Sequence, residues 1–276
     1  MQPVRRGVAG CLILLAGCAG ARLASKPGVY AVTVQPVQAS GRQIHATYVR
    51  PTRVRHRNLL VFATGDAGWL GTSGAVLAHL AEAGYAIAGW SAPEIIRPLA
   101  RSGTRVSTTQ AAQSLEELLT QAKRDLGLPG PTPIILVGFS RGASLVAFTA
   151  VHPELRSGVA GAVAIALTRE ADYLQAPENE RGPEIQVDDR GRIQLYPALK
   201  LLGSTRLAVI QSSRDKYVPA AESRRLLGPD TETLRLYEVV ARNHGFSDAQ
   251  GALLSDLDDA LRWIEQAEPA AASHER

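Results

Sequence analysis

Three residue types in this chain have the chemistry of a covalent hydrolase: a serine between glycines, a late histidine, and an aspartate between them. Gly138-Phe139-Ser140-Arg141-Gly142 places a hydroxyl inside a Gly-x-Ser-x-Gly pentapeptide. That spacing suits a tight strand-to-helix turn, where small flanking residues let the serine oxygen project from a strained backbone. A hydroxyl is a weak nucleophile, so it needs a base, and the base needs a third group to orient it. Of the six histidines, His45 lies in an early strand, His56 in a basic loop, His79 on a helix, His152 after the elbow helix and His274 in the tail. Only His244 lies between the last strand and the final helix, in Arg242-Asn243-His244-Gly245-Phe246. Asp215, in Ser212-Ser213-Arg214-Asp215-Lys216, follows an apolar strand and is the favoured acid, with Asp172 as the alternative. The order Ser140, Asp215, His244 is the one expected of an α/β-hydrolase.

A tetrahedral intermediate also needs preorganised N–H donors, each typically worth about 3 kcal/mol. Thr64-Gly65-Asp66-Ala67-Gly68-Trp69 stands at the end of an apolar run, where a glycine-rich loop could supply one. The expected donors are the backbone N–H groups of Asp66 and Arg141, with the Asp66 carboxylate and Trp69 as candidate substrate contacts. Neither a cofactor nor a metal is called for by such a set.

The elements that must position these groups are legible from periodicity. Residues 58–63 and 134–137 are continuous apolar runs, the mark of strands buried on both faces. Residues 69–83, 108–126, 141–151, 220–227 and 248–265 show helical spacing, and 29–37, 43–48, 85–90, 159–166, 206–211 and 233–240 read as further strands. Strands alternating with helices imply a mostly parallel sheet with right-handed crossovers. The fold expected is therefore α/β, of α/β-hydrolase type, over residues 28–266, with helices flanking the sheet. Residues 172–198 are polar and weakly periodic and are read as a small cap-like insertion; 267–276 are read as a tail.

The signature loop carries a family resemblance. Gly65-Asp66-Ala67-Gly68-Trp69 resembles the Gly-Asp-Gly-Gly-Trp signature of the bacterial virulence proteins VirJ and AcvB, and the similarity runs in order through the Ser140 elbow, the Tyr196-Pro197 segment, the acid and His244. Ala67 stands where that family has Gly, and Arg141 where it has Phe. The resemblance implies a periplasmic α/β-hydrolase acting on aminoacylated phosphatidylglycerol, notably the lysyl form. An esterase or peptidase on soluble substrates, and a binding lipoprotein without chemistry, are the other function classes weighed.

The N-terminus bears on location. Arg5 and Arg6 precede an apolar stretch, residues 8–16, too short to span a bilayer comfortably. Leu15-Ala16-Gly17-Cys18 resembles the cleavage site of bacterial lipoproteins, which implies removal of residues 1–17 and acylation of Cys18, with 18–27 as a tether. Ala19 lacks the Asp that favours inner-membrane retention, so an outer-membrane lipid anchor in a Gram-negative periplasm is expected. Only Cys11 and Cys18 occur in the chain, so the mature form would have no disulfide and no cysteine-based metal site. Removing 1–17 deletes Arg5 and Arg6 and no acid, which takes the net charge from +4 to +2. With charges of both signs interspersed, nucleic acid is not an expected partner. The expected partners are an ester or aminoacyl-lipid substrate and the membrane.

Overall fold

A computed structural model describes residues 24–39, 42–94, 105–156 and 158–266. The expected signal segment, Cys18 and the tail 267–276 lie outside the described residues.

Eight strands form one sheet: β1 (Tyr30–Ala39), β2 (Arg42–Pro51), β3 (Leu59–Ala63), β4 (Ala86–Trp90), β5 (Ile134–Phe139), β6 (Val159–Ile165), β7 (Arg206–Ser212) and β8 (Leu234–Val239), in the order β1-β2-β4-β3-β5-β6-β7-β8. β1 and β2 pair antiparallel, and β2 meets β4 antiparallel. From β4 to β8 every pairing is parallel. Among the described residues, five helices of eight or more residues complete the frame: α1 (Thr72–Ala83), α2 (Thr108–Leu126), α3 (Arg141–Val151), α4 (Ala220–Leu227) and α5 (Gln250–Glu265).

The central strands read as unbroken apolar runs because both of their faces are covered. Leu59, Val61 and Ala63 of β3 join the layer that holds Leu115, Leu118 and Leu119 of α2 and Val146 of α3. Leu60 and Phe62, on the other face, join Val76, Leu77 and Leu80 of α1 and Leu253, Leu257 and Leu261 of α5. Side chains of each such size contribute roughly 1.5–3 kcal/mol on burial, so the two layers hold the sheet rigid from both sides.

Chain direction decides where a site can form. The chain leaves β3 towards β4 and leaves β5 towards β6, so the connections diverge on either side of the β3–β5 pair. In open α/β sheets the crevice for a ligand lies at the carboxyl ends of strands at such a switch point. Ala63 is in register with Gly138, which brings the Thr64–Trp69 loop beside the Ser140 turn.

One expectation needs adjustment. The helix expected over 69–83 begins at Thr72, because Trp69 turns inward and Gly71, at φ +59°, starts the helix. Residues 172–198, read as a cap-like insertion, are tied to neighbouring segments. Leu174–Gln175 pairs with Val106–Ser107 and Ile193–Gln194 with Glu170–Ala171, while Leu174, Ile193, Leu195 and Tyr196 are buried in the main core. Among the described residues no helix is long and apolar enough to cross a membrane.

Candidate active site

The Ser140 turn is built by its two glycines. Ser140 has φ +56° and ψ −116°, a left-handed conformation that a non-glycine residue rarely adopts. A Cβ on Gly138 would lie 2.2 Å from the Gly142 carbonyl oxygen, and one on Gly142 would lie 2.0 Å from that of Ala63. No side chain fits either place. β5 therefore passes straight into α3 with Ser140 at the apex, its N–H donating to the Ile165 carbonyl (2.8 Å).

His244 meets the apex from the loop after β8. Its Nε2 lies 2.8 Å from Ser140 Oγ, and its Nδ1 lies 2.7 Å from Asp215 Oδ2. Asp215, on the loop after β7, is 1% exposed. Its Oδ2 also accepts from Gln211 Nε2 (3.0 Å), and its Oδ1 accepts from the Tyr217 backbone N–H (2.8 Å). A carboxylate only accepts, so it holds the imidazole proton on Nδ1 and turns the bare Nε2 toward the serine hydroxyl. Phe139 and the edge-on ring of Tyr217 flank the imidazole, at centroid distances of 5.7 and 4.8 Å.

The His244 loop is pinned on both sides. Asn243 Oδ1 accepts from the Gly245 N–H (3.0 Å), and Phe246 is buried in the core. Asp248 accepts from both the backbone N–H (3.1 Å) and Nε (2.9 Å) of Arg242. The Arg242 backbone N–H, with the guanidinium behind it, holds the Asp248 carboxyl below the usual carboxylate range. None of Gln211, Tyr217 and Asp248 was singled out from sequence. A Gln four residues before an Asp on a strand end is too common a pattern to signal its role.

On the opposite side, Gly65 packs against the elbow: a Cβ there would stand 3.1 Å from Ser140 Cβ and 3.0 Å from Phe139 Cδ1. The 65–66 peptide thus borders Ser140. Among the described residues no hydrogen bond uses the Asp66 or the Arg141 backbone N–H, so both remain available as donors.

The side chains of this wall already have partners in the protein. Asp66 Oδ1 lies 3.3 Å from Arg141 Nε, in an ion pair whose carboxylate is two-thirds exposed. Arg141 Nη2 donates to Asp172 Oδ2 at 2.8 Å, so one guanidinium serves two carboxylates. Asp172, the alternative acid, is thereby turned toward Arg141, while Asp215 holds His244. Trp69 stacks on Phe62 (5.9 Å) and presses its ring on Gly89, where a Cβ would meet it at 2.7 Å. Its observed contacts are those of a core residue, because the turn before α1 directs the indole inward.

Comparisons with known proteins agree on the architecture. A dienelactone hydrolase candidate from Klebsiella pneumoniae aligns with 86% of this chain and 99% of its own at TM-score 0.61 and 15% identity. An alpha-beta serine hydrolase homologue from Coxiella burnetii aligns over 83% and 97% at 0.56 and 14%. Est1E from Butyrivibrio proteoclasticus aligns over 84% and 99% at 0.56 and 15%. No family model and no curated protein sequence matches. At these identities the likeness is one of fold, and the fold is that of the α/β-hydrolases, with its central sheet mostly parallel and flanked by helices.

Proposed function

We propose that this protein is a serine hydrolase of carboxylic esters, with Ser140 as nucleophile, His244 as general base and acid, and Asp215 as its orienting group. The observation that carries this reading is the unbroken contact from a buried carboxylate through an imidazole to a strained serine. In the first step Ser140 Oγ bonds to the acyl carbon while its proton passes to His244 Nε2. The N–H groups of Asp66 and Arg141 receive the negative oxygen, which favours the tetrahedral state over the planar ester. Collapse breaks the bond to the alcohol oxygen, which takes the proton from Nε2. Water then repeats the sequence on the acyl-enzyme, releasing the acid and restoring Ser140. The same triad in a peptidase would release an amine, and the solved structures it aligns with include both an esterase and an acylaminoacyl peptidase, so the choice of an ester is part of the proposal.

As substrate we propose an aminoacyl ester of phosphatidylglycerol, the class implied by the resemblance to VirJ and AcvB. Asp66 and Asp172 both lie against the Arg141 guanidinium, and two carboxylates beside the elbow suit an acyl group bearing an ammonium. A lipid anchor on Cys18, at the periplasmic face of the outer membrane, would hold the enzyme against such lipids. The test is twofold. Wild-type protein should be labelled by a fluorophosphonate and Ser140→Ala should not. Purified protein should release lysine from lysyl-phosphatidylglycerol vesicles, and labelling without lysine release would retain the hydrolase while removing this substrate.

A further inference from the structure

The loops after β7 and β8 do more than present Asp215 and His244. Between them lies a pocket of about 320 Å³, lined by Arg214, Lys216, Tyr217, Arg242, Asn243, Gly245 and His244 itself. Three of these are cations and none is a carboxylate. Arg242 is ion-paired with Asp248. Among the described residues Arg214 has no carboxylate partner, and Lys216 has only the face of Tyr217, with Nζ 4.8 Å from the ring centroid. Asp215, the sequence neighbour of both, cannot neutralise them: its side chain has no exposure and is engaged by His244, Gln211 and Tyr217. Asn243 is likewise occupied, accepting from the Gly245 N–H and donating to Ser247 Oγ (2.7 Å). The free side-chain donors of the pocket are therefore the Arg214 guanidinium, the Lys216 ammonium and the Tyr217 hydroxyl, two of them cationic.

We propose that this pocket is an anion subsite that takes a phosphate group carried by the alcohol half of the ester. The proposal rests on the hydrolase reading for which half of the substrate lies there. His244 returns its proton to the leaving oxygen, so whatever is attached to that oxygen extends along the imidazole, and the imidazole is a wall of the pocket. Guanidinium forks match phosphate oxygens bidentately and ammonium binds them as a point charge, so Arg214 and Lys216 supply complementary contacts. The opposite wall, with two carboxylates on Arg141, carries the reverse sign. The site is thus polarised from acyl side to alcohol side.

Binding can be read without turnover. Full-length Ser140→Ala protein titrated with sn-glycerol 3-phosphate, against glycerol, should bind the phosphate and release it as salt is raised. The double substitution Arg214→Gln/Lys216→Gln should weaken binding by about tenfold or more, while Arg214→Lys/Lys216→Arg, which keeps both charges, should retain most of it. In turnover, the kcat/KM ratio of a butyryl ester of glycerol 3-phosphate over glycerol monobutyrate should exceed about ten and fall towards one in the Gln double variant. Vesicles of phosphatidylglycerol against phosphatidylcholine distinguish the sources: preference for the former assigns a lipid headgroup, and binding of glycerol 3-phosphate alone assigns a soluble phosphoester. The subsite is overturned if neither anion binds better than its neutral counterpart, or if the Gln double variant binds both as well as Ser140→Ala alone. Failure to turn over either ester removes the hydrolase reading and leaves the binding arm to decide the pocket.

Discussion

Asp215 and Asp66 both stand at the carboxyl edge of the sheet, after β7 and β3, yet the protein treats the two carboxylates in opposite ways. Asp215 has no exposed side-chain surface, and its two oxygens accept from an imidazole, an amide and a backbone N–H. Asp66 is two-thirds exposed and touches one guanidinium at 3.3 Å. A buried carboxylate without its donors would cost several kcal/mol, whereas an exposed ion pair is typically worth 0–1 kcal/mol. The contrast teaches that position at a strand end does not define a role. A deeply satisfied anion fixes geometry, and a loosely paired one can tune a field and still exchange partners.

The most severe break lies between the two aspartates in the chain, at the nucleophile. Ser140→Ala should lower ester turnover by roughly 10⁵-fold or more while circular dichroism and the melting temperature stay at wild-type values, since the strain of the elbow is in the backbone. Wild-type turnover by that variant would end the assignment of the nucleophile. Asp215→Asn comes next, with a loss in kcat of about 10⁴-fold because the imidazole loses the acceptor that fixes its tautomer. Asp215→Ala should in addition lower stability by about 1–3 kcal/mol, as the Gln211 amide and the Tyr217 N–H lose their acceptor in a dry site. Chemical denaturation of the two variants separates these effects.

A steric probe reaches the other region. Gly65→Ala places a methyl 3.1 Å from Ser140 Cβ and 3.0 Å from Phe139, so the 65–66 peptide must shift. If that peptide stabilises the oxyanion, kcat should drop by about one to two orders of magnitude with KM little changed, short of the roughly 10²–10³-fold loss on removing a donor outright. A change confined to KM would assign the loop to binding instead. Asp66→Asn keeps the backbone donor and removes the charge. It should reduce kcat/KM for lysyl and alanyl esters by about two- to fivefold, the scale of an exposed pair, and leave neutral ester probes close to wild type. Equal losses on both kinds of ester would make the Asp66–Arg141 contact a loop tie and nothing more.

The smallest effect concerns Asp248, which clamps the base of the His244 loop. Arg242 holds its carboxyl below the ordinary range, so its contribution is complete above the unfolded value near pH 4 and is lost as pH falls through the lower folded one. The melting-temperature difference between wild type and Asp248→Asn should therefore be present at pH 7 and shrink below about pH 4. A difference that grew in acid would contradict the clamp.

The sequence by itself determined the layered α/β architecture and most of its boundaries. Apolar runs such as Leu59–Ala63 admit only a strand covered on both faces, and an amphipathic stretch such as Thr108–Leu126 admits only a helix lying on a sheet. It also marked Ser140, because two glycines after an apolar strand leave few alternatives to a strained turn, and His244, because one histidine alone lies between the last strand and the final helix. Between Asp215 and Asp172 it left a choice that distance alone decided: one lies 2.7 Å from His244, the other 2.8 Å from Arg141. The inward turn of Trp69, the amide of Gln211 beneath Asp215, and the guanidinium spanning Asp66 and Asp172 were likewise settled only in three dimensions. So was the cationic pocket, whose two lining segments, around 214–217 and 242–245, are separated by a helix and a strand. Periodicity reports which face of an element is buried, since that depends on local spacing. Which charges meet across loops depends on how distant strand ends are brought together, and no local pattern encodes it.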